Sequence, residues 1–224
     1  MFSTMDFGRL AGFLYLFILL TSVLSQFAAG APADPADMPG TLRSTALVGK
    51  RFQAGIALDL LSHACIIALA GALYLAFSPH NRPLALIGTL FRVVEGTIIA
   101  LNEVNKLVLL FVANSFVTAS GAEAAALETA GRVLIAADEW GLKIALAFLA
   151  LGTLLYGLLF VSSGAVPAGL GWWAVLAGLS AAGGIWWTLA NPNVSAAIQS
   201  ITFLPILPFE IVFGVWLLLK GVPK

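Results

Sequence analysis

Cysteine is nearly absent from this chain. Cys65 stands alone within an apolar run, which excludes an intrachain disulfide, a CxxC redox centre and a thiolate zinc site. Histidine is almost as scarce. With only His63 and His80, a histidine-rich metal centre is not expected, and neither is any other cofactor. Charge is sparse too: Asp, Glu, Lys and Arg make up 10% of 224 residues, against roughly 25% in soluble domains. The 11 basic and 11 acidic residues cancel, so no basic surface invites nucleic acid. Also missing are a Walker A loop, an HExxH pair, a GxSxG elbow and a dinucleotide fingerprint. The last apolar segment has no mid-span lysine for a Schiff base, since Lys220 lies at its end. These absences lean away from an enzyme.

What the chain has in abundance is apolar sequence. It is 60% hydrophobic, with a mean hydropathy of +1.00. Six runs are long enough to cross a hydrocarbon core of about 30 Å: approximately 9–29, 52–77, 84–117, 140–161, 170–190 and 197–219. The expectation is an all-α polytopic membrane bundle of six transmembrane helices, folded as one domain over 1–224. Ala29-Gly30-Ala31-Pro32-Ala33 resembles a signal-peptide cleavage region. The preceding run is long for such a leader, however, and Asp6 offsets Arg9, so a first span is expected instead. The loop 31–40 leads through Thr41–Lys50 back to the membrane, and 119–137 is expected as a helical connector that continues into the fourth run. Ser78-Pro79-His80-Asn81-Arg82-Pro83 reads as a tight turn. The pairs Trp172-Trp173 and Trp186-Trp187 suit aromatic belts at the interfaces. Gly8-x-x-x-Gly12 is a small-residue contact motif at a membrane edge. Asn193-Val194-Ser195 is a sequon by pattern alone.

The third run interrupts its own apolarity. On a helix, Arg92, Glu95, Asn102, Glu103 and Lys106 fall within an arc of roughly 100°. A charge at mid-membrane costs about 2.5–3.5 kcal/mol, so this stripe must face other helices or a wet cavity. At about 50 Å the run must also protrude, tilt or break.

Several stretches resemble one bacterial family of integral membrane proteins, domain-of-unknown-function family 4386. They are Gly8-Arg9-Leu10-Ala11-Gly12, Phe91-Arg92-Val93-Val94-Glu95, Ser163-Gly164-Ala165-Val166-Pro167 with Leu170-Gly171, and Glu210 through Trp216 to Lys220-Gly221-Val222. The resemblance implies a six-span bundle with Arg and Glu one turn apart in the third span. The family's turn after span four is flanked by arginines, and here Ser162 and Ala168 stand in their place. The family pattern implies a cytoplasmic loop there, both termini inside, and a bacterial cytoplasmic membrane. The basic residues themselves split four against four between the two sides, so they do not orient the chain.

Counting rise along the expected helices puts Arg92, Glu95 and Glu210 in one layer about 12–17 Å from the inner ends. Asp59, Asn102, Glu103 and Lys106 fall about 25–33 Å from that side, with His63 between. Arg92 is expected to link Glu95 to Glu210, leaving an excess acid that can carry an exchangeable proton. The same three groups would serve equally as a static clamp. Asp59 and His63, one turn apart, form half a metal site, a proton relay or a plain hydrogen-bonded pair. Glu103, Lys106, Glu139 and Lys143 read most simply as interfacial salt bridges. Pro205 and Pro208 free the carbonyls of Ile201 and Leu204 in span six.

These residues predict a polar cavity among spans two, three, four and six, with Asp59, His63, Arg92, Glu95, Asn102, Glu103, Lys106 and Glu210 as ligand-binding candidates. The leading expectation is a non-enzymatic module, surrounded by membrane lipids, that binds a small hydrophobic molecule or lipid through this cavity or serves as an accessory subunit. A small proton-coupled carrier or channel is the alternative, and would call for a homo-oligomer or larger membrane complex. An intramembrane enzyme acting on a lipid is the third.

Overall fold

Lipid offers a backbone no hydrogen-bond partners, so apolar runs of this length satisfy themselves as helices. A computed structural model describes residues 6–30, 34, 36–191, 194 and 196–223, and the sequon residues Asn193 and Ser195 lie outside them. Eight helices follow in order: α1 (Phe7–Ala29), α2 (Met38–Leu47), α3 (Gly49–Phe77), α4 (Arg82–Phe116), α5 (Gly121–Ser163), α6 (Ala168–Ala190), α7 (Ala196–Phe203) and α8 (Ile206–Lys220). No strand occurs among the described residues. Among the described residues, six spans are long and apolar enough to cross a membrane: α1, α3, α4, α5, α6 and the stretch Ser200–Lys220.

The third span is a single unbroken helix of 35 residues. The connector before span four continues into it, giving one helix of 43 residues. Between spans one and two lies α2, a helix that the apolar pattern does not mark. Its start has ordinary helix chemistry: the Asp37 side chain accepts from Gly40 N–H, and a proline occupies the first turn.

The helices divide into two compact units. The first contains 1–18, 64–97 and 143–224. Its core is aromatic and joins α3, α5 and α8: Phe77 and Phe160 ring centroids lie 4.8 Å apart, Phe160 and Phe213 4.8 Å, and Phe209 and Phe213 5.2 Å. Around this cluster pack Ala11, Leu14, Leu69, Leu73, Ala85, Leu159 and Leu217, all buried. The start of α1 lies directly on the end of α8. A Cβ at Gly12 would overlap Leu218 N and stand 2.6 Å from Gly214 O, and one at Gly8 would stand 2.7 Å from Val222 N. The small-residue motif is therefore a backbone-to-backbone contact.

The second unit contains 19–63 and 98–142. Met38 and Leu42 of α2 are fully buried against Leu109, Val112, Ala113, Phe116 and Ile135. Asp34 and Thr41 tie the entry to α2, with Asp34 N–H donating to Thr41 Oγ1 at 2.9 Å and that hydroxyl within 3.0 Å of Asp34 O. Thr21 and Ser62 hydroxyls, 2.6 Å apart, join α1 to α3. The Arg51 guanidinium donates to Phe27 O at 3.1 Å and so occupies a carbonyl near the end of α1.

The close seam in the first unit predicts a steric result. Gly12→Leu would have to push α1 off α8 and is expected to cost about 1–3 kcal/mol, lowering the melting temperature in detergent. Gly183→Ala, where an added methyl meets nothing within 4 Å, should leave that temperature unchanged or raise it slightly.

Candidate functional site

In the first unit, α4 buries Ala85, Gly88, Arg92, Glu95 and Gly96 along one stripe, with spacings of three and four. That stripe delivers Arg92 and Glu95 to the interior at 4% and 3% exposure. Arg92 Nη1 stands 3.0 Å from Glu95 Oε2, one turn along the same helix. The two are close as an ion pair, but they are not aligned as a hydrogen bond. Arg92 Nη2 stands 3.7 Å from Glu210 Oε1 of α8, whose side chain is 26% exposed. The structure thus brings together the three residues that helical rise places in one layer. Arg92 Nε finds no hydrogen-bond partner among the described residues.

Room for this guanidinium comes from α5. A Cβ at Gly152 would stand 3.1 Å from Arg92 Cδ and 3.2 Å from its Cγ, so the arginine stem lies in the space a larger residue would fill. One turn beyond, the Tyr156 and Thr89 hydroxyls are 2.7 Å apart and extend the polar set. Neither stood out in the sequence, because a lone Tyr or Thr in an apolar span gives no sign of which way it points.

Span six breaks where the prolines require it. Pro205 separates α7 from α8, and α6 serves the interrupted backbone. The Trp173 indole N–H donates to Pro205 O at 3.1 Å, and the Ser180 hydroxyl donates to Thr202 O at 3.0 Å. Trp173, expected as a belt anchor, turns inward and meets Phe209 edge-on at 6.2 Å. Trp172, Trp186 and Trp187 remain exposed, as interfacial anchors are.

The second unit holds the other candidates. Lys106 Nζ donates to Asp59 Oδ2 at 3.0 Å and to Glu103 Oε1 at 2.8 Å. The partner of Asp59 is therefore this lysine of α4. His63, one turn along α3, has its Nδ1 3.9 Å from Glu103 Oε1, too far for a hydrogen bond. That nitrogen and Glu103 Oε2 are buried with no hydrogen-bond partner among the described residues. Asn102 reaches α5, where its amide donates to Asp138 O at 2.8 Å and to Asp138 Oδ1 at 2.9 Å. It also accepts from the Asn105 amide at 2.8 Å. A Cβ at Gly141 would overlap Asn102 Oδ1, so that glycine leaves the space this amide occupies. No group of three or more His, Cys, Asp or Glu is placed to hold a metal ion among the described residues.

Above this cluster opens a cleft of about 680 Å³, within the usual range for small-molecule sites. Its walls are apolar, with Phe27 from α1, Phe52 and Ile56 from α3, and Leu109, Leu134 and Leu142 from α4 and α5. Gln26, Asp59, Asn105, Lys106, Asp138 and Glu139 supply its polar lining. Of the residues expected to line a cavity, Asp59 and Lys106 line this cleft, and span one joins spans two, three and four in its walls.

This is the architecture of a multi-pass α-helical membrane protein, with one buried polar cluster in each of its units. The chain belongs to the family described as Domain of unknown function (DUF4386), whose sequence model matches residues 10–221. No curated protein and no solved structure matches it.

Two outcomes follow from the geometry of the first unit. Arg92→Met would strand two carboxylates and should cost about 3–5 kcal/mol. Adding Glu210→Gln should then cost less than it does alone, as a double-mutant cycle in denaturant will show. Trp173→Phe removes one of two donors to Pro205 O, leaving Phe209 N–H at 3.4 Å, and should cost about 0.5–1.5 kcal/mol, whereas Trp187→Phe at the exposed end of α6 should be neutral.

Proposed function

We propose that this protein is a non-enzymatic binding module of a bacterial cytoplasmic membrane, with both termini on the cytoplasmic side. Its ligand is a small amphipathic molecule or lipid held in the cleft of the second unit. The observation that carries this is the division of the cleft's lining. A long apolar wall suits a hydrocarbon chain, and one polar region fixes the other end of the ligand. The site is built on helices throughout, which positions its groups better than loops would.

A carrier is the second reading, favoured by the broken backbone of span six close to Glu210, an arrangement that suits ion or substrate sites in transporters. It would draw on Glu95 and Glu210 of the first unit, and on assembly of several copies.

Native mass spectrometry of the detergent-purified protein separates these. Wild type should retain a bound molecule, and Leu134→Trp, which fills the cleft, should lose it while remaining monodisperse. Equal retention by both, or an empty wild type, would sink the binding assignment. An empty wild type whose liposomes show a proton flux abolished by Glu210→Gln would transfer the assignment to the carrier.

A further inference from the structure

The cleft's polar region has too little positive charge for its carboxylates. Three of its lining residues are acidic, Asp59, Asp138 and Glu139, against the single lining cation Lys106. Lys106 is moreover already engaged, by Asp59 Oδ2 and by the buried Glu103. The two lining amides, Gln26 and Asn105, are neutral and do not redress this, and the Asn105 amide already donates to Asn102 Oδ1. Asp59 lines the cleft; its Oδ2 accepts from Lys106, and 12% of its side chain is exposed, which leaves the carboxylate within reach of a further donor. Negative charge in excess beside apolar walls is costly until a cation meets it.

We infer that the ligand carries a primary ammonium headgroup, which enters beside Lys106 and donates to Asp59, with Asp138 and Glu139 adding attraction and its hydrocarbon chain lying along Phe27, Ile56 and Leu134. This rests on the proposed binding role of the cleft and names the chemistry it selects. An ammonium supplies three donors and one positive charge, and positive charge is what the lining is short of. A phosphate or carboxylate headgroup would add acceptors where acceptors are already in excess. The ammonium could belong to a single-chain amine or to an aminophospholipid of the bilayer.

The test is equilibrium binding to the full chain in phosphatidylcholine nanodiscs, using three radiolabelled probes with the same tail: dodecylamine, dodecanol and dodecyl sulfate. The specific component is wild type minus Leu134→Trp. Dodecylamine should bind specifically and at least tenfold more tightly than either other probe. Asp59→Asn should weaken it about tenfold. Glu139→Gln, a change at an exposed position, should weaken it about threefold even if Asp59→Asn proves poorly folded. Equal or tighter binding of dodecanol or dodecyl sulfate, or amine binding unchanged in Glu139→Gln and in a folded Asp59→Asn, would overturn the headgroup assignment and leave the cleft as a ligand site. Absence of specific binding for all three would overturn both. Competition by phosphatidylethanolamine would place the ammonium on a bilayer lipid, and its failure to compete would place it on a single-chain amine; either supports the inference.

Discussion

A permanently charged guanidinium inside a hydrocarbon-facing helix is the constraint on which the first unit depends. Arg92 cannot shed its proton at any ordinary pH, and at 4% exposure it has almost no solvent. Its charge must be met by protein. Glu95 meets it within α4 and Glu210 from α8, while Gly152 of α5 yields the volume its stem needs. Three helices are thereby held in mutual register by one side chain. The aromatic cluster of Phe77, Phe160, Phe209 and Phe213 then packs around an alignment that electrostatics has already restricted.

The second unit treats its charges differently. Lys106 is shared between two carboxylates, Asn102 occupies one oxygen of Asp138, and acceptors are left over. In the first unit the ionic set links α4 to α8 through one guanidinium. In the second it lies against a space large enough for a ligand. That contrast is why a binding role is assigned to the cleft and a holding role suffices for Arg92.

How much of this could be read from residues alone depended on how expensive the alternative was. Charge in lipid is expensive, so the stripe of α4 and the layer joining Arg92, Glu95 and Glu210 were legible from helical rise alone. Apolar side chains carry no such mark. Phe27 and Ile56 facing a cleft look the same as leucines facing lipid, so the part played by span one was hidden. Local spacing also misled: Asp59 and His63 share a helical face, yet an ammonium from a neighbouring helix is the stronger partner for a carboxylate. For α2 the signals were present in Asp37 and the proline that follows. They sat in a stretch rich in Pro and Asp, and the helix offers the apolar core little beyond Met38, Leu42 and Ala46.

The interruption at Pro205 has an evolutionary consequence. At the break, Thr202 O and Pro205 O accept from Ser180 and Trp173 of α6, and Pro205 O also accepts from Phe209 N–H at 3.4 Å. The indole binds a main-chain oxygen, which any residue at 205 supplies, so Trp173 answers to the path of the backbone there and not to the identity of the side chain. Descendants can therefore exchange residue 205 and keep the tryptophan, provided the backbone keeps its break.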